Sequence, residues 1–276
     1  MNSEEILVAL AVKYEGDWEN IMSALDMRER DEKYAEEGLN AWVDDLDLEK
    51  YFEIAQKSNY KYLTILSENY PTHLKQSHMP PFVLFYYGDI FLLNDMSKNV
   101  SVVGSRECSD YGQTMTREIV KDICGRYVIV SGMARGIDTV AHKTAIENGG
   151  RTIAVLGGGI DYCYPASNKP LYRELKKNHL VISEYPGTVL PQPVNFPRRN
   201  RIIATISRAT IVTEANAKSG TLTTVMFALQ NNKDVLCIPY PAGIGSECNR
   251  LIISGAFLVE NGNDVFRVLN PTQTFR

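Results

Sequence analysis

No run of apolar residues in the chain approaches the roughly 18 that a membrane-spanning helix needs. The first ten residues, MNSEEILVAL, place acidic side chains where a secretory signal carries cationic ones. Neither bilayer insertion nor export is indicated, and a cytoplasmic protein is expected. Cysteine is sparse: Cys108, Cys124, Cys163, Cys237 and Cys248 are scattered without CxxC spacing, which argues against a zinc ribbon or a disulfide framework and for free thiols. HExxH is missing, and no carboxylate pair stands at metal-ligand spacing, so no metal site is implied. There is no GxxxxGK[ST], and no GxGxxG with an acidic partner downstream. The P-loop route to ATP and the dinucleotide fingerprint are therefore both excluded, and no cofactor is expected. The sequence also has no internal repeat and no low-complexity tract.

What is present is enough apolar material, 44% of 276 residues, for one large α/β domain with a smaller companion. Charge is divided unevenly. Residues 1–100 hold 9 Lys/Arg against 19 Asp/Glu, a net of −10, while residues 101–276 hold 20 against 14, a net of +6. The overall −4 hides an acidic head on a basic body, either a lopsided solvated surface or a polyanion-binding one. Residues 1–59 read as small helices, SEEILVALAV with Ser3 as N-cap and DLEKYFEIAQKS, separated by the charge-rich MRERDEKYAEEG, helix or loop. Residues 60–99 form a connecting segment with short strands such as FVLFYYG, punctuated by YP and PP. Beyond it VSVVGS, YVIVSG, TIAVLGG, LVISEYP, ATIVTEA and DVLCIPY alternate with helical patterns. Near-continuous β-branched strands separated by helices give an α/β class: a Rossmann-like doubly wound, mostly parallel sheet over residues 100–276, with a small helical N-terminal domain. Since the alternation lies beyond it, removal of residues 1–59 is expected to leave a folded core.

In such sheets a ligand sits beyond the carboxyl ends of the strands. Gly104, Ser105 and Arg106 (GSR) stand there, with Ser131, Gly132 and Arg135 of SGMARGID, GGGID at 157–161, and Lys218, Ser219, Gly220 and Thr221 of KSGT. Glycine lets backbone N–H groups approach an anion, so several such turns together make a phosphate cradle. Tight strand-to-helix turns need glycine on steric grounds alone, so no single turn carries the reading. Asp138 and His142 near Ser131 invite a catalytic triad, but Asp138 opens a helix and His142 lies one turn along it, which favours an N-cap and a packing histidine. Glu184 and Glu214 end strands and are read as groups that hold neighbouring loops. In NFPRRNRIIA, Pro197 marks a helix start, and Arg198, Arg199, Asn200 and Arg201 come to the same edge. Positions 198 and 201 share a helix face and 199 does not, so at least one arginine is structural. With Arg106, Lys169 and Lys218 they form a row of cations that suits an extended phosphate backbone better than one nucleotide. Tyr111 and Tyr162 stand nearby as stacking surfaces for bases.

These motifs, VGSRECSDYG, VSGMARGIDTVAHKTAIENGGRTIAVLGGGIDYCYPASNK, SEYPG, NFPRRNRIIA, SGTLTT and CNRLIISGA in that order from about Tyr60 to about Val259, resemble the DNA-processing protein A (DprA/Smf) family. The resemblance implies a Rossmann-like core that binds single-stranded DNA, acts as a homodimer and hands the strand to the recombinase RecA during natural transformation, with no catalytic reaction. It puts Arg106 and Lys169 against phosphates, with donors from Ser131, Gly132, Ser219, Gly220 and Thr221. Residues 1–59 resemble the sterile-alpha-motif-like domain of many members, and no C-terminal winged helix is expected after the core. The dimer contact is expected between about Asn231 and Val259. The competing reading is a nucleotide phosphoribohydrolase of the lysine-decarboxylase-like group, whose PGGxGTxxE carries a catalytic glutamate. Here the stretch AKSGTLTTVMFAL has Thr224 at that position.

Overall fold

A computed structural model describes residues 1–29, 47–216, 219–244 and 246–270 of the protein. Most of the charge-rich stretch of the head, and Lys218, lie outside the described residues. The chain opens with α1 (Ser3–Lys13), whose N-cap is Asn2 rather than Ser3: Asn2 and Glu5 exchange side-chain and backbone bonds in a reciprocal cap. All of Ile6 to Ala11 is buried, as befits a helix that is apolar on every side. Helices α2 (Trp18–Glu29) and α3 (Leu48–Gln56) follow. Strand β1 (Lys61–Thr64), the short α4 (Thr72–Lys75) and β2 (Val83–Gly88) then occupy the segment expected to be a connector.

The alternating part runs β3 (Asn99–Gly104), α5 (Asp110–Ile123), β4 (Val128–Ser131), α6 (Ile137–Glu147), β5 (Thr152–Val155), α7 (Lys169–Asn178) and β6 (Leu180–Ser183). It continues with α8 (Asn195–Thr205), β7 (Ala209–Glu214), α9 (Thr221–Gln230), β8 (Asp234–Cys237), α10 (Glu247–Ile253), β9 (Phe257–Leu258) and α11 (Gly262–Leu269). One nine-stranded sheet has the order β1-β2-β6-β5-β4-β3-β7-β8-β9. It is parallel from β6 to β9, and the hairpin β1–β2 joins antiparallel to β6, so the connecting segment extends the sheet rather than merely linking two domains.

Strands β3 to β6 step one way across the sheet and β7 to β9 the other. Right-handed crossovers therefore send α5 and α6 to one face, over Val100, Val102 and Ile129, and α8 and α9 to the opposite face, over Val130, Ile153 and Val212. The order reverses between β3 and β7, where adjacent crossovers leave in opposite directions and a crevice opens beyond the strand ends.

The N-terminal helices do not form a separate core. Ile6, Leu10, Leu48 and Phe52 share one cluster with Phe85 of β2, Ala154 of β5, Val181 of β6 and Leu171 of α7. Trp18 also donates its indole N–H to the Pro80 carbonyl at 2.9 Å. The expectation that residues 60–276 fold without the head thus meets a shared apolar interface, invisible to strand-helix counting.

Candidate nucleic-acid interface

The crevice is a groove of about 830 Å³. Gly104 ends β3 and Ser105 and Arg106 follow it, while Ser219, Gly220 and Thr221 lead into α9. The third wall is the start of α8 with Pro193, Phe196, Arg199 and Asn200. Arg106 is exposed, and its guanidinium stands 5.0 Å from the centre of the Phe196 ring. Tyr164 packs on the same ring at 5.8 Å. Phe196 lies flat because Gly157 carries no side chain: a Cβ there would sit 2.9 Å from the ring. Arg106 and Arg135 both point to solvent, and neither is paired with a carboxylate among the described residues.

The three clustered arginines of α8 go to three different places. Arg198 reaches back to the head, to Asp17 at 2.9 Å and Glu19 at 3.0 Å. Arg199 is buried under the groove floor, where it donates to the carbonyls of Gly132, at 2.5 Å, and Val155. Burial pushes its pKa down to about 10 against the field of Asp138, which still leaves it charged at neutral pH. Gly132 permits the contact, since a Cβ would fall 2.3 Å from the guanidinium. Arg201, also buried, forms a two-pronged pair with Glu184 at 2.6 and 2.5 Å and donates to the Met79 carbonyl at 2.9 Å. Burial opposes its charge, but Glu184 outweighs the penalty and holds the pKa above the ordinary arginine value. The cationic row expected from NFPRRNRIIA is therefore not a row. Two members are structural ties at the far side of the helix, and Arg199 is a polar floor. Asn200 bridges α8 to α9 by donating to the Gly220 carbonyl at 3.1 Å.

The backbone cradle is also largely occupied. Ser105 N–H is taken by the Glu214 carbonyl at 2.9 Å. Ser131 is fully buried, with its hydroxyl on the Val102 carbonyl at 2.7 Å. Gly132 and Ala134 N–H groups converge on Asp138, whose pKa burial pushes up although Arg199 pulls it down. Asp138 thus closes the turn before α6 instead of capping the helix, where the N-cap is Gly136. Ser219 N–H bonds Asn216 and its hydroxyl bonds Thr221 at 2.7 Å, and Gly220 at the α9 start lines the groove. His142 is a packing residue, as expected: Nδ1 lies 2.7 Å from the Thr152 hydroxyl, which itself donates to Ile129. Nδ1 therefore carries the proton, and burial drives the imidazole pKa down to about 3. Glu214, like Glu184, holds a loop, accepting from the Ser109 hydroxyl at 2.5 Å and from Tyr240 at 3.0 Å.

Lys169 is exposed at the first turn of α7. It lies outside the groove, next to Asn168, whose amide donates to the Met133 carbonyl at 3.0 Å. Tyr111 is spent on Tyr240, at 4.9 Å, and on the Pro239 carbonyl. Tyr162 lines a recess beneath Arg106. The aromatic surface of the groove is instead Phe196 and Tyr164. Phe196 lies within NFPRRNRIIA, where its one sequence signal is that of an aromatic at a helix start.

The sequence profile of the DNA recombination-mediator protein A family matches residues 61–270. The chain belongs to that family. The DNA processing protein DprA of Streptococcus pneumoniae is 42% identical over 225 residues, covering 81% of this chain and 77% of the relative. The X-ray structure of the S. pneumoniae protein superposes with a TM-score of 0.74 at 39% identity, over 83% of this chain and 82% of that one. DNA processing protein A of Helicobacter pylori, solved for its single-stranded DNA binding mode, gives a TM-score of 0.69 at 28% identity, over 76% and 96% of the two chains. Among the described residues no helix is long and apolar enough to cross a membrane.

Proposed function

We propose that the protein binds single-stranded DNA in the groove between β3 and β7 and, as a cytoplasmic homodimer, delivers the strand to the recombinase RecA during natural transformation. The observation that carries the binding half is the rim. Arg106 and Arg135 are exposed and, among the described residues, unpaired, beside an aromatic wall of Phe196 and Tyr164, a combination that grips backbone charge and stacks bases without reading them. The α9 start, at Gly220, adds partial positive charge. The single-stranded DNA binding mode described for the H. pylori relative supports the same reading. The recombinase half rests on the family match. We read the groove as a binding surface and not an active site, because Thr224, and no carboxylate, lines it where a phosphoribohydrolase needs its acid-base group.

The decisive measurement is fluorescence anisotropy with single-stranded and duplex oligonucleotides at two salt concentrations. Wild type should prefer single strands, with log affinity falling by roughly 0.7 per phosphate contact for each unit of log salt. R106E/R135E should bind at least about tenfold more weakly and with a slope flatter by about 1.4. K61A, an exposed lysine on the far hairpin, should match wild type. A folded R106E/R135E protein with unchanged affinity at low salt overturns the proposed surface.

A further inference from the structure

A second groove, of about 520 Å³, runs off the first between α5 and α6. The two share Arg106, Glu107 and Arg135, so the junction between them carries two cations against one carboxylate. On α5, Gln113 and Arg117 stand one turn apart, and the opposite side, Ile119, Val120 and Ile123, is in the core. On α6, Thr139, Lys143 and Glu147 form a matching stripe opposed by buried Ala141 and Ala145. Arg117 and Lys143 are both exposed. Four cations against two carboxylates, Glu107 and Glu147, give this groove a net positive lining in a chain whose overall charge is −4.

A solvated helix surface ordinarily laces such charges together. Among the described residues Lys143 and Glu147, four positions apart, form no ion pair, and Arg117 bonds only the neutral Gln113 amide at 3.2 Å. With lysine on the N-terminal side, that spacing is the weaker arrangement of the two. The cations thus have no carboxylate partner among the described residues and face a trough whose far wall carries the exposed Ser167 hydroxyl, while Thr139 and Asn168 are tied to each other and to the carbonyls of Ala134 and Met133. Among the described residues no aromatic side chain lines it, in contrast with the first groove. That chemistry fits a polyanion whose charge repeats along its length and whose bases are left unstacked.

Resting on the reading of the first groove as a single-strand site, we infer that the strand turns at Arg106 and Arg135 and continues along the α5–α6 trough, which holds further phosphates through Arg117 and Lys143. The site then has two unlike halves: one that stacks bases and one that counts only charge. Lys169, adjacent to Ser167 and Asn168 at the far wall, lies at the end of this path, which gives it a place in binding that the first groove does not.

The inference makes the contribution of Arg117 and Lys143 depend on length. Oligonucleotides of about 5 and about 20 nucleotides, within and beyond the span of one small binding fold, are compared on wild type and R117E/K143E. The variant should bind the short strand as wild type does, and the long strand about tenfold or more weakly, with a salt slope lower by about 1.4. Equal affinity for the long strand overturns the inference. So does an equal loss for both lengths, which makes the two charges a distant field and not a contact. Wild type that binds neither length overturns the first-groove reading itself. Cys108 supplies a check without mutation. It is half-buried in the trough, so the long strand should slow its alkylation and the short strand should not. Unprotected Cys108 under saturating long strand overturns the path even where R117E/K143E fails to fold.

Discussion

Arg201 has no water to fall back on. With 5% of its side chain exposed and Glu184 at 7%, each charge is tolerated only because the other is there. Removing one partner strands the other, and R201M should cost about 3–5 kcal/mol of stability. Replacing both, R201M with E184L, should recover much of that loss, because two desolvated charges are then exchanged for apolar packing. Urea midpoints of the three proteins test this. A single variant as stable as wild type would mean that the pair is solvated in solution. Single-strand affinity of folded R201M should be unchanged, which separates this arginine from Arg106 by a measurement that charge counting in NFPRRNRIIA cannot make. Arg199 is of the structural kind as well, since its guanidinium ties the ends of β4 and β5 together through the carbonyls of Gly132 and Val155.

Among the elements, α1 departs most from the expectation of a detachable head. Its residues Ile6 to Ala11 are wrapped by α3 on one side and by the sheet on the other. Cutting at residue 60 uncovers Phe85, Val181 and Leu171 together. Fully burying each such side chain stabilises a fold by about 1.5–3 kcal/mol, a large share of any domain's net stability. The fragment 60–276 should therefore bind an apolar-surface dye and unfold at a lower temperature than the full chain; a soluble fragment with an unchanged midpoint would restore the separable-domain view. The six β-branched runs after residue 99 were legible as strands because burial on both faces leaves no polar alternation to confuse them. Strand β1 is mostly not buried and β9 has only two residues, both exposed, so neither carries that pattern. Residues of the candidate site were legible by motif but not by the contacts they make. An arginine's position in a helix is periodic, whereas the partner it finds, Asp17, Gly132 or Glu184, lies far away in sequence.

At the scale of the molecule, the far edge of the sheet is unfinished. Ile253 is 86% exposed, with Phe257 at 46%, Leu258 at 49% and Ile244 at 55%, all within the region expected to join two copies. An apolar patch beside a short edge strand is a surface that a second chain covers well. Light scattering at micromolar concentration should give a dimer for the wild type and a monomer for I253D/L258K, whose single-strand binding should weaken on long oligonucleotides by loss of avidity. A wild-type monomer at every accessible concentration ends that claim. The reversal of strand order between β3 and β7 bears on how the family can vary. The crevice is opened by two chain paths that part company, not by side chains standing aside, so exchanging residues along its lip repaints the walls and leaves the gap where it was. Mutational drift can thus retune what the crevice accepts, and how firmly, while the architecture that offers the opening is inherited intact.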